Sequence, residues 1–345
     1  MSKNITEIAK SIIIEDIRGI TDDCFYCDNE NRSYFMLGGL LYFATVIDGA
    51  IKWSKRACID INPLINNDLI EKLRAKIKLY SSDKRIPINE QWELMYKIIA
   101  VEKQYWIDLQ AKSGKYCPKF LIPNMGLYSI NGHYIGNTIE YAYEFSPFNP
   151  ELKPILEVIS KPWEDGFPMI YHFSTKIGKT MQELHKKLAG SSYEIKEYQR
   201  KNRLLVTRKD IRMENRLFFI NRSAIFVLNL CCRINYLLEF FEPLCTNKFL
   251  AFRMIYITFY HFKNDMERFG LKNIYYNMPY RDKAFRDAMA HYSLFGKMDD
   301  SNIIDNVTGY GLVEKFFNKT FETVYTELLS ELSKTRDSLE KHINL

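Results

Sequence analysis

At 345 residues the chain is long for one domain and comfortable for two, and its 47% hydrophobic content allows a sizeable core. Its formal net charge of +6 comes from 48 Lys and Arg against 42 Asp and Glu, a modest excess concentrated in one stretch. Seven cysteines, an odd number without a regular framework, argue against a disulfide scaffold and fit free thiols in a reducing compartment.

Met1-Ser2-Lys3-Asn4 leads into a mixed polar segment without the pattern of a signal peptide. The most apolar run, 217–241, is interrupted by Asn221, Arg222, Asn229, Arg233 and Asn235. The expectation is a soluble, cytoplasmic protein with no membrane partner. Residues 1–20 fit a short helix or a strand through Ile12-Ile13-Ile14, and period alone does not decide. Cys24 and Cys27 form a lone Cys-x-x-Cys without the second close pair a zinc site needs, since Cys231-Cys232 sits in an apolar helix; no metal is expected.

A helix is predicted over 31–57, with Tyr34, Leu37, Leu41, Ala44 and Ile51 on its apolar face and Gly38-Gly39 either weakening it locally or allowing close packing. A second is expected over 67–80. A third, holding Trp92, Met95, Ile98, Ile99, Tyr105 and Trp106, begins after Asn89 and stops at Gly114. The texture then turns β-favouring over 120–145, and Asn131-Gly132 inside 128–135 is a hairpin signal, because that dipeptide fits a tight primed turn. His133 at this turn reads as a surface polar residue. Pro147, Pro150 and Pro154 close the segment, and a short helix to Ser160 is allowed. Ser174 can cap a helix running to Ala189, ended by Gly190. Gly178-Lys179-Thr180 is not a phosphate loop, because Phe173 stands where that loop needs glycine. Ser191-x-x-Glu194 then offers a capping box for a following helix.

Between Lys186 and Arg222 there are eleven Lys/Arg against four Asp/Glu. A stripe of this kind neutralises phosphates, and Arg200, Lys201, Arg203 and Arg208 are the expected RNA-binding cations, with Lys283 further on. Tyr193 and Tyr198 interleave with the charges and allow stacking. From Leu204 onward the chain reads as helical: 216–244, then 249–269 ended by Gly270, then 279–295, then 313–342. Four long helices with short connections make a bundle. The fold class is therefore mainly α: a C-terminal helical bundle over 191–345, preceded by a mostly helical N-terminal region, 1–190, that carries a small β-hairpin near 120–145.

The third helix of the bundle carries chemistry. Asn277 is a usable N-cap, Pro279 fits a first turn, and Asp282 suits the positive end. Helical spacing puts Tyr280, Ala284, Phe285, Ala288, Met289, Tyr292 and Phe295 on a core half. Lys283, Arg286, Asp287 and Ala290 fall on the other half, with His291 at its margin. Asp287 and His291 are four apart and hence neighbours. Histidine takes and gives protons near neutral pH, a carboxylate beside it steadies the ring, and a guanidinium offers a rigid fork to a phosphate. The set suits cleavage of RNA by its own 2′-hydroxyl without a metal. About one Arg-x(4–6)-His match is expected by chance, and the chain has two, the second being Arg336 and His342. His261 could approach the site from the preceding helix.

In this context Arg286-Asp287-Ala288-Met289-Ala290-His291 resembles the Arg-Asn/Asp-x-x-x-His signature of the HEPN superfamily (higher eukaryote and prokaryote nucleotide-binding domain). The resemblance covers the C-terminal part of the chain, with Asp287 at the position where asparagine is commoner. Ser293 stands where HEPN toxins paired with nucleotidyltransferase antitoxins often carry tyrosine. The resemblance implies a compact HEPN-like helical bundle and a metal-independent endoribonuclease without cofactor, with Arg286, Asp287 and His291 catalytic. It also implies a toxin or antiphage effector with an antitoxin or defence-system partner. The alternatives are a non-catalytic RNA- or nucleotide-binding HEPN module and a helical scaffold. Family and geometry agree on a homodimer through 279–295, since a five-residue spacing separates Arg286 and His291 by about 140° on one helix.

Overall fold

The computed structural model describes residues 5–26, single positions between 39 and 60, and residues 88–114, 125–145, 167–190, 207–211, 224–245, 247–291 and 308–343. Most of these are helical, and one small antiparallel sheet accompanies them. The expected helices at 67–80, before Ser160 and after Ser191 lie outside the described residues.

α1 (Ile5–Tyr26) settles the first ambiguity in favour of helix: Ile12, Ile13, Ile17 and Ile20 recur at three- and four-residue steps and are all buried. Described helical positions between 39 and 54 put Phe43, Val46, Ile47, Ala50 and Ile51 in the core. Of the two readings of Gly38-Gly39, close packing is the one seen at Gly39, for a Cβ there would stand 2.8 Å from the Phe43 ring and 3.0 Å from the Tyr236 hydroxyl. α2 (Ile88–Ser113) ends at Gly114, whose φ of 65° is the left-handed stop glycine supplies without strain.

β1 (Met125–Ile130) and β2 (His133–Asn137) form the expected hairpin, with Asn131 and Gly132 both at positive φ, 52° and 87°. Two features differ from expectation. The strand character does not extend to 145: Asn137 accepts the N–H of Glu140 at 2.8 Å and starts α3 (Thr138–Phe145) directly from the end of β2. Nor is the chain helical from Leu204. β3 (Thr207–Ile211) pairs antiparallel with β1, Arg208 opposite Tyr128, in the order β2-β1-β3. The inner strand's second edge is satisfied in this way; a two-stranded hairpin alone is marginal in water.

α4 (Phe167–Ala189) starts a full two turns before Ser174 and ends, as expected, at Gly190 with φ 71°. α5 (Ala224–Leu244) contains a π-helical stretch over Tyr236–Phe241. By length and composition it could cross a membrane, but 78% of its most apolar window is buried inside the molecule. Its buried Asn229 accepts a hydrogen bond from Asn137 at 2.8 Å, so its polar positions serve the sheet beneath it. α6 (Lys248–Arg268) is capped by Asn247, which accepts the Leu250 N–H at 3.0 Å. α7 (Lys283–His291), α8 (Thr308–Phe317) and α9 (Phe321–Ile343) follow. The expected single helix over 313–342 is thus two. Asn318 turns left-handed at φ 51°, and Thr320 restarts the helix by accepting the Thr323 N–H at 3.3 Å.

One hydrophobic core runs from Ile12 to Leu339 through all of these elements. Several links cross the 190/191 boundary expected between domains, among them β3 on β1 and a buried bidentate pair in which Arg253 of α6 holds Asp16 of α1 at 2.9 and 3.0 Å. Phe252, Tyr256, Phe285, Phe317 and Phe321 meet at ring distances of 4.7 to 6.4 Å and fasten α7 between α6, α8 and α9.

Candidate functional site

The loop before α7 decides how its cations are presented. Tyr280 stands at φ 61°, outside the helix and in a region costly for an aromatic residue. Several bonds hold it there. The buried Tyr256 hydroxyl donates to the Tyr280 carbonyl at 2.7 Å and accepts the Asp282 N–H at 3.2 Å. The Tyr280 hydroxyl donates to Glu327, and Lys319 Nζ donates to that hydroxyl at 2.7 Å. Burial raises the Tyr256 phenol well above its usual range, so it stays a donor.

Asp282, not Asn277, is the N-cap: its Oδ1 accepts the Phe285 N–H at 2.7 Å. Asn277 instead donates to Glu331 at 3.0 Å, and Pro279 precedes the helix. On α7, Phe285, Ala288 and Met289 are buried as expected. Ala284, placed on the core half by periodicity, is exposed in the first turn of the helix, one residue before the buried Phe285.

Arg286 is 18% exposed; its Nη1 lies 3.0 Å from Asp287 Oδ1, and its Cζ lies 5.1 Å from the centre of the Tyr260 ring. Among the described residues its buried Nε has no hydrogen-bond partner. Arg281, exposed, stands over the same ring at 4.5 Å. It also reaches Tyr276, whose hydroxyl donates to the Phe259 carbonyl at 3.1 Å and whose phenol burial pushes up to about 12. Lys283 is exposed in the first turn. His291 is the last residue of α7; its side chain lies outside what is described. The expected Asp287–His291 pairing therefore has no described counterpart, while Asp287 is paired with Arg286.

Arg200, Lys201 and Arg203 lie outside the described residues. Arg208 belongs to β3, on the sheet, whereas α7 packs on α6; the Tyr260 ring brings Arg286 and Arg281 together, and Lys283 lies in the same helix as Arg286. The second Arg–His match is no common site: Arg336 bonds Glu239 at 2.6 Å, and His342 is exposed. His133 is not a free surface residue either. Its Nδ1 lies 2.9 Å from Glu340 and its Nε2 3.9 Å from Glu239, so it fastens the hairpin to α9 and α5. His261 packs edge-on to Tyr260, the ring that both arginines use, at 5.6 Å.

No family model, curated protein or solved structure matches this chain.

The site thus rests on its own geometry. Among the described residues no group of three His, Cys, Asp or Glu could hold a metal ion. Sequence reasoning passed over Tyr260 and Arg281. The signal was present in the Tyr256–Tyr260 repeat of α6 and in an arginine next to a strained tyrosine, but only the fold shows that both arginines use one ring.

Proposed function

We propose that the chain is a metal-independent endoribonuclease of the HEPN type, acting through Arg286, Asp287 and His291 of α7. The observation that carries this is Arg286 itself, a largely buried guanidinium fixed by an aromatic ring and a carboxylate on the helix that ends in His291. A guanidinium fixed before the substrate arrives needs no reorganisation as charge builds up on a phosphorane. In the proposed reaction His291 takes the proton of a ribose 2′-hydroxyl. The 2′-oxygen bonds to the adjacent phosphorus, and the bond to the 5′-oxygen breaks. The leaving oxygen takes a proton from an imidazolium, which leaves a 2′,3′-cyclic phosphate and a 5′-hydroxyl. Asp287 positions Arg286 in this scheme.

The protein is proposed to work as a homodimer across α7. Arg286 and His291 point about 140° apart on one helix, and the exposed Ala284 and half-exposed Ala290 leave room for a second copy. RNA incubated with the full chain in chelator should be cut to cyclic-phosphate ends. His291→Ala should lose about 10²–10⁴-fold in rate with its melting temperature retained; unchanged cleavage by that variant would refute the mechanism. Mixing inactive Arg286→Ala and His291→Ala chains under subunit exchange should restore part of the activity, whereas a monomer that cleaves at full rate would dismiss the shared site. A second reading, RNA or nucleotide binding without cleavage, draws on the Asp287 ion pair, which already occupies one edge of Arg286.

A further inference from the structure

We infer that Arg281 and Arg286, set on the ring of Tyr260, form a phosphodiester clamp for single-stranded RNA, with Arg281 holding a phosphate beside the one to be cleaved. The inference rests on the proposal that RNA is the ligand of this surface, and it adds a binding residue outside the Arg-x-x-x-x-His pattern.

Both guanidinium carbons lie within 4.5 and 5.1 Å of one ring centre, which brings two permanent positive charges close together. Such a pair repels unless an anion lies between or across it. The nearby carboxylates are otherwise engaged. Asp282 caps the helix, Glu327 holds Lys319 and Tyr280, and Asp287 takes only Arg286. Among the described residues Arg281 pairs with no carboxylate, and the Tyr276 phenol lies within its electrostatic reach. A guanidinium placed over a ring keeps N–H groups available for phosphate oxygens, and the exposed Arg281 is the freer of the two, since Arg286 already pairs with Asp287.

The loop is built to keep this arrangement. A tyrosine at φ 61° persists only where its surroundings over-determine it, and here Tyr256, Lys319 and Glu327 all fix Tyr280, the residue that precedes Arg281. An exposed arginine needs no such scaffold for solubility. The ring also insulates both cations from water on one side, which strengthens their attraction for an anion. A chain of successive phosphates suits two cations that share one ring better than a single free phosphate does, which is why we assign a strand of RNA to the clamp.

The test uses the full chain carrying His291→Ala, so that RNA survives the measurement, and follows the fluorescence anisotropy of a labelled single-stranded oligoribonucleotide at several salt concentrations. Arg281→Ala in that background should weaken binding on the order of tenfold and flatten the salt slope by about 0.7, one contact's worth. Arg281→Lys should restore the slope but only part of the affinity, since a lysine keeps the charge and loses the fork. Unchanged affinity and slope in Arg281→Ala would overturn the clamp even if the His291→Ala chain had lost cleavage, in which case the nuclease proposal stands alone. Weakened binding together with a wild-type chain that cuts no RNA would uphold the clamp and refute the nuclease. If a mononucleotide such as AMP displaced the oligonucleotide at concentrations equal to the RNA's own, the ligand would be a free nucleotide and the assignment to an RNA strand would fail.

Discussion

Asp282 does two things at the start of α7. Its carboxylate ends the run of unsatisfied N–H groups at Phe285, and its own N–H is held by Tyr256, so the helix can begin only there. Periodicity could not locate this start, because Asn277 and Asp282 are both good caps and the residues between them are compatible with a first turn. The deciding fact is tertiary: Tyr256 of α6 claims the Tyr280 carbonyl and forces that residue out of helical φ. Asp282→Ala should therefore cost about 0.5–2 kcal/mol in chemical denaturation and loosen Arg286, whereas Asn277→Ala should cost less, losing only an exposed bond to Glu331. Equal effects from the two substitutions would mean that Asp282 is not the cap.

Among the elements, those with long regular apolar spacing were legible: α2, α6 and the hairpin end within a residue or two of where Gly114, Gly270 and Asn131-Gly132 place them. The misplaced ones share a cause. α3 follows β2 without a loop, because Asn137 is both the last strand residue and a helix cap, and a residue with two roles carries no boundary signal of its own. β3 contains Arg208, Lys209 and Asp210, which no strand propensity would favour; it exists because β1 offers an open edge. The break between α8 and α9 rests on Asn318, which tolerates left-handed φ well enough to act as a hidden stop. Of the candidate site, residue types and helix were readable, but the partner of Asp287 was not. Four-residue spacing favours His291, whose side chain lies outside the described residues, and does not point to the neighbouring guanidinium, which the structure places 3.0 Å from the carboxylate.

At the scale of the molecule, the N-terminal and C-terminal parts are joined by buried charge at α1, and this makes stability depend on pH in a way that can be checked. Beside the Asp16–Arg253 pair, the Glu15 carboxyl is pushed up to about 7, first by burial and then by the Asp16 charge. The folded chain therefore keeps a proton on Glu15 that the unfolded chain, with an ordinary carboxyl near 4.5, releases. This contribution is fully present below the unfolded value and is lost as pH rises through the folded one, so stability should fall between pH 4.5 and 7. The scale is about 1.4 kcal/mol for each unit of difference, reduced by screening of the partly exposed side chain. His185 of α4, which faces α1, runs the other way: burial and Arg18 lower its value, so its contribution is lost as pH falls through its folded value. The two oppose each other in the same window, and the raw profile alone does not separate them. Glu15→Gln separates them, because the amide leaves His185 alone and removes only the carboxyl's titration. Denaturant midpoints taken at half-unit steps should show the gap between Glu15→Gln and the parent chain widening from pH 4.5 to 7 in the variant's favour; parallel curves would show that Glu15 titrates no differently in the folded chain.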